Sequence, residues 1–141
     1  MEQIIKKDGP KSFLLNNYRS NNNKIYFCSP FTFSNIIELE KERAKREEYN
    51  VFLIHFYFKY GKSNKNAVNK KIQSIFEISL RKSDIITWIS PEHLTLLLVN
   101  IKEVDVNGII HRIKNNIDNS SISNILKLTY EIEKITKPIT N

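Results

Sequence analysis

RKSDIITWISPEHLTLLLVN, residues 81–100, decides how this chain folds. Asp84–Ile89 and Leu94–Val99 are apolar runs of strand length, and Ser90-Pro91-Glu92-His93 between them has turn chemistry. Two such runs around a short, proline-containing polar break predict a β-hairpin. On the N-terminal side, Val68, Ile72, Ile75, Phe76 and Leu80 recur at helical spacing and predict a buried helical stripe reaching Arg81. On the C-terminal side, Val106, Ile109, Ile110, Ile113 and Ile117 do the same, in spite of Gly108. The hairpin is therefore bracketed by two amphipathic helices.

Further out, Val51–Phe58 (VFLIHFYF) is apolar on both alternating faces, as a central strand covered on each side must be. Before it, Ser29-Pro30 has the form of a helix start, serine as N-cap and proline in the first turn. That helix should run to Glu48, with Phe33, Ile36, Ile37, Glu40 and Ala44 on one face. Gly61–Asn66 reads as a turn, Asp118–Ser123 as a polar loop, and Ile125–Ile132 as a last strand. Lys24–Cys28 allows one more short extended piece. The order is helix, strand, helix, hairpin, helix, strand: an α/β domain with a central mixed β-sheet and helices packed around it. Residues 1–23, broken by Gly9-Pro10 and an asparagine-rich stretch, read as an N-terminal tail or linker, 24–135 as the domain, and 136–141 as a C-terminal tail.

At 141 residues the chain can bury one core, and with 40% hydrophobic and 26% charged residues it is globular in composition. The single cysteine, Cys28, can close no internal disulfide, and no cysteine–histidine cluster has zinc-ligand spacing. The start of the chain is too polar for a signal peptide, and no apolar run is long enough to span a bilayer, so a cytoplasmic protein without membrane insertion is expected. The formal charge of +7 favours anionic partners, but the lysines are spread along the chain. Tyr26, Phe27, Tyr57 and Tyr60 raise an RNA-reading sheet as one function class. A strand apolar on both faces should instead bury most of those rings, which argues against nucleic acid.

In order and spacing, residues 30–132 resemble GGDEF (diguanylate cyclase) domains. ELEKERAKREE (38–48) followed by VFLIHFYF is similar to their first helix and strand, and IIHRIKNNI (109–117) to the helix after their signature hairpin. Arg81-Lys82-Ser83-Asp84 matches the Arg-x-x-Asp motif that stands five residues before the signature turn. The turn itself aligns with Ser90-Pro91-Glu92-His93-Leu94. In the family, two GTP molecules on two antiparallel subunits react with the help of two metal ions. The resemblance places the family's metal-binding aspartates on His55 or Ile54 and on Tyr57 or Phe56, none of them a hard-oxygen ligand. Serine and proline stand where paired glycines admit the nucleotide. Of the acidic ligands Glu92 survives, and the guanine-recognition loop is shortened in FKYGKSNKNAV (58–68). The expectation is a degenerate, catalytically inactive domain with no catalytic residues, no metal and no cofactor.

What the resemblance leaves in place is Arg81 and Asp84, with Arg112 on the following helix, as a candidate site for cyclic di-GMP. A guanidinium gives the parallel donors that phosphate and guanine edges accept. Equally, Arg81 can serve the dipole of the preceding helix and Asp84 can simply open the next strand. The competing expectation is therefore a protein-interaction or homodimerisation module without a nucleotide. His55 reads as a hydrogen-bonded, partly buried strand residue, and His93 and His111 lie too far apart in sequence to argue for a metal site. Trp88, where the family has arginine, reads as packing, and Glu92 as a solvated turn residue.

Overall fold

The computed structural model describes residues 26–61 and 64–135. The tails expected at 1–23 and 136–141 lie outside them. Along the chain come β1 (Tyr26–Phe27), α1 (Pro30–Glu47), β2 (Val51–Tyr60), α2 (Lys65–Ser79), β3 (Ile85–Ser90), β4 (His93–Val99), α3 (Glu103–Asp118) and β5 (Leu126–Lys134). The strands form one five-stranded sheet in the order β1-β3-β4-β2-β5. β1 runs parallel to β3, and every other pair is antiparallel, which makes the sheet mixed.

Local chemistry sets the helix ends. The Ser29 hydroxyl accepts a hydrogen bond from the Thr32 N–H (3.2 Å), and Pro30 stands in the first turn of α1. α1 closes on Glu48 in the left-handed region (φ 57°), whose N–H returns to the Ala44 carbonyl. The Asn64 side chain caps α2 by accepting from Asn66 N (2.9 Å) and Ala67 N (3.3 Å). α3 has no side-chain cap, but Glu103 and Asp105 lie in its first turn, where negative charge suits the helix dipole.

The two faces of β2 diverge because side chains alternate along a strand. Phe52, Ile54, Phe56 and Phe58 point into the larger core with Ile86, Leu94, Leu96 and Leu98, under α2 and α3. Phe56 meets Phe76 edge-on, ring centroids 5.0 Å apart. Each fully buried side chain of this kind stabilises the fold by about 1.5–3 kcal/mol. The opposite face carries Val51 and Leu53, which with Ile85 and Leu97 receive Phe33, Ile36 and Ala44 of α1. Beyond Leu53 this second face turns polar, with His55 half-buried and Tyr57 exposed.

Several boundaries differ from expectation: β5 runs Leu126–Lys134 rather than Ile125–Ile132, and α2 begins at Lys65, inside the turn expected over Gly61–Asn66. β2 continues past Phe58 to Tyr60, because β5 pairs along it as far as Tyr60 opposite Leu126. The hairpin turn is two residues, Pro91-Glu92, rather than four, since Ser90 pairs with His93 after a register shift near Trp88. α2 stops at Ser79, so Arg81 lies beyond the helix: Leu80 is extended (φ −108°, ψ 162°), and the Arg81 N–H is taken by Asp84. Among the described residues, no helix is long and apolar enough to cross a membrane.

Candidate functional site

Arg81 and Asp84 form a closed loop between α2 and β3. The Asp84 carboxylate is fully buried and accepts from the Arg81 N–H (2.7 Å), Nε (3.0 Å) and Nη2 (2.8 Å). In return the Asp84 N–H donates to the Arg81 carbonyl (3.0 Å). Charge-assisted, two-pronged bonds of this kind are the strong class. They hold the guanidinium in one orientation, with the Arg81 side chain still 38% exposed. Its exposed side lines a cavity of about 380 Å³, shared with Glu48, Tyr49, Asn50, Asn100, Ile101, Lys102 and Asp105.

Those walls are set by the junctions between α1 and β2 and between β4 and α3. Glu48 and Asn100 both adopt left-handed backbone (φ 57° and 55°), and the Asn100 N–H donates to the Asn50 carbonyl (2.8 Å). Tyr49 donates to Glu40 (2.8 Å), and burial together with that carboxylate pushes its phenol up to about 12. Neither Asp84 nor Arg112 is part of the lining; Arg112 sits on the exposed surface of α3.

The hairpin turn is clamped from two sides. The Pro91 carbonyl accepts from the Tyr60 hydroxyl (2.6 Å) and from Asn69 Nδ2 (3.2 Å), while the Ser90 hydroxyl accepts from the Glu92 N–H (3.2 Å). Glu92 is ion-paired with Lys65 at the start of α2, and the hydrogen bond from Lys65 holds its carboxyl below the usual range. It is thus a tethered turn residue rather than a merely solvated one. Leu94 is fully buried. Trp88 packs against the larger core and donates to Gln73 (3.2 Å), as a packing residue does.

Histidines distant in sequence meet on the sheet. The β2–β4 register sets His55 opposite Thr95 and Tyr57 opposite His93. His55 Nδ1 lies 3.2 Å from both His93 Nε2 and Thr95 Oγ1, which are themselves 3.1 Å apart. On its other side His55 Nε2 is 3.2 Å from the Glu133 carboxylate, and the Tyr57 hydroxyl donates to Glu131 (3.3 Å). A proton on Nε2 facing Glu133 leaves Nδ1 as an acceptor for His93 or Thr95. Burial, and next the neighbouring His55, lower the pKa of His93. Thr95, Glu131 and Glu133 escaped the sequence reading, since only strand register brings them here. His111 stays apart, beside Asn115.

This cluster can pass or hold a proton; its imidazole and phenol groups do not suit Mg²⁺, which prefers hard oxygen ligands, and its two carboxylates, Glu133 and Glu131, are bonded to His55 and Tyr57. Among the described residues, no group of three or more His, Cys, Asp or Glu is placed to hold a metal ion.

The sheet order, the α2–hairpin–α3 succession and the helix layers define the fold of GGDEF diguanylate cyclase domains. A DGC protein from Thermotoga maritima superposes with a TM-score of 0.63 at 22% identity, over 77% of this chain and 81% of that one. The GGDEF domain of YfiN (TpbB) from Pseudomonas aeruginosa gives 0.61 at 15% identity, over 77% and 76%. The diguanylate cyclase SiaD from the same organism, solved with its activator SiaC, gives 0.64 at 15% identity, over 79% of this chain and 48% of SiaD. No protein-family model and no curated protein sequence matches the chain.

Proposed function

We propose that this GGDEF-fold domain has lost cyclase chemistry and serves as a signalling module that binds cyclic di-GMP through Arg81. The observation that carries this reading is Arg81, its side chain 38% exposed, lining an open cavity of about 380 Å³ together with Lys102, Glu48 and Asp105. The volume lies within the usual range for small-molecule sites. An arginine already fixed by a buried carboxylate loses little freedom on gripping a phosphate, which favours binding. Asp84 acts here as the positioning residue for Arg81, and Lys102 as the second cation. Arg112, outside the cavity, is left a supporting role at most. Loss of cyclase activity is supported by the imidazole and phenol groups at His55, Tyr57 and His93 and by Pro91 in the turn.

Two measurements test this. Calorimetric titration of the full chain with cyclic di-GMP should give saturable heat that Lys102→Ala weakens at least tenfold; no heat at high micromolar ligand refutes the nucleotide site. Incubation with GTP and Mg²⁺ or Mn²⁺ should yield no cyclic dinucleotide, and any turnover overturns the inactive reading. A second reading, a protein-interaction module without nucleotide, draws support from SiaD, whose structure contains an activator protein.

A further inference from the structure

Among the described residues, β5 is an edge strand of nine residues that pairs with β2 on one side only. Long open edges invite another strand, and folded proteins usually blunt them with proline, bulges or charged side chains, lysine above all. β5 has no proline and no bulge, its register with β2 being unbroken from Leu126 to Lys134, and the charges it carries, Lys127, Glu131, Glu133 and Lys134, are of both signs. Tyr130 and Ile132 on this strand are 40% and 42% exposed.

The sequence of β5, LKLTYEIEK, is complementary to its own reverse. Laid antiparallel on a second copy about a two-fold axis at Tyr130, the whole strand pairs. Lys127 then faces Glu133 of the partner subunit, Leu128 faces Ile132 of the partner subunit, and Tyr130 faces its own equivalent. Because side chains alternate, the Lys127 pairs fall on the His55 face, where Thr129 faces Glu131 of the partner subunit, and the Leu128 and Tyr130 pairs fall on the face that continues the larger core, where Leu126 faces Lys134 of the partner subunit. Neighbouring registers are worse. Centred on Glu131, that carboxylate meets its own copy, a repulsive cross-strand pair. Centred on Thr129, Glu133 and Lys134 go unpaired.

From this register and the open edge we infer that two copies of the chain associate through β5, making one continuous sheet across an isologous two-fold interface. The interface owes nothing to a nucleotide at Arg81 and stands or falls separately from it. Lys127 is exposed, so its substitution removes no core packing, which makes it the place to test.

By sedimentation at high micromolar concentration the full chain should run at twice its chain mass. Lys127→Glu and Glu133→Lys should each run as monomers, because each sets like charges face to face twice. Mixed one to one, these two variants should pair again, since each supplies what the other lost. In a Cys28→Ser background, Tyr130→Cys should form a disulfide-linked dimer on oxidation, because facing positions at the axis lie about 4.5–5.5 Å apart. A monomeric wild-type chain overturns the inference. So do single variants that remain dimeric, a mixture that fails to pair, or no cross-link at position 130.

Discussion

Replacing Asp84 by alanine should cost this fold about 3 kcal/mol. The carboxylate is wholly buried and accepts three hydrogen bonds from Arg81, two of them from the guanidinium. Bonds to charged groups contribute about 1.5–3 kcal/mol each in context, and removing one partner of a buried pair costs about 3–5 kcal/mol. Arg81 is 38% exposed, so water regains part of its solvation, and the lower end applies. For a domain of this size, 3 kcal/mol corresponds to a fall in Tm of about 10 °C. Urea unfolding of the wild type, Asp84→Ala, Arg81→Ala and the double variant would measure both the loss and the coupling. A loss below about 1 kcal/mol, or additive single effects, would mean that the Arg81–Asp84 loop does not hold the α2–β3 junction. The same reasoning makes Arg81→Ala an impure binding test, because it leaves a buried carboxylate short of donors; Lys102→Ala carries no such burden.

Three further outcomes follow from the geometry. The folded state lowers the His93 pKa, so the unfolded chain binds the proton more readily, and stability should fall as pH drops below about 6.5. His93→Gln should flatten that slope in denaturation curves recorded from pH 7.5 to pH 5. Gly108 lies exposed inside α3 with nothing within 4 Å of an added Cβ, so Gly108→Ala should raise stability by about 0.5–1 kcal/mol in urea unfolding. Burial pushes the Cys28 thiol up to about 12, and a maleimide at pH 8 should label the folded chain far more slowly than the chain in denaturant.

Much of the architecture was legible in one dimension. VFLIHFYF reads as a central strand covered on both faces, which holds for one face and for Val51 and Leu53 of the other, while His55 and Tyr57 stand in a polar patch; the stripes at Val68–Leu80 and Val106–Ile117 read as helices lying on a sheet. Ser29-Pro30 marked a helix start to the residue, since capping chemistry is local. Element ends were less legible: the turn at Pro91-Glu92 is shorter than its polar residues suggest because pairing across the sheet recruits Ser90 and His93.

The site divides the same way. Sequence by itself determined which residues carry charge, because that is a property of side chains one at a time. Tertiary structure decided who meets whom. It buried Asp84 against Arg81, put Arg81 and Lys102 on the wall of one cavity, and left Arg112 outside. It also joined His55, His93, Thr95 and Glu133, contributed by three strands as much as 78 positions apart. Strand register follows from packing a whole sheet at once, and no spacing along the chain encodes it.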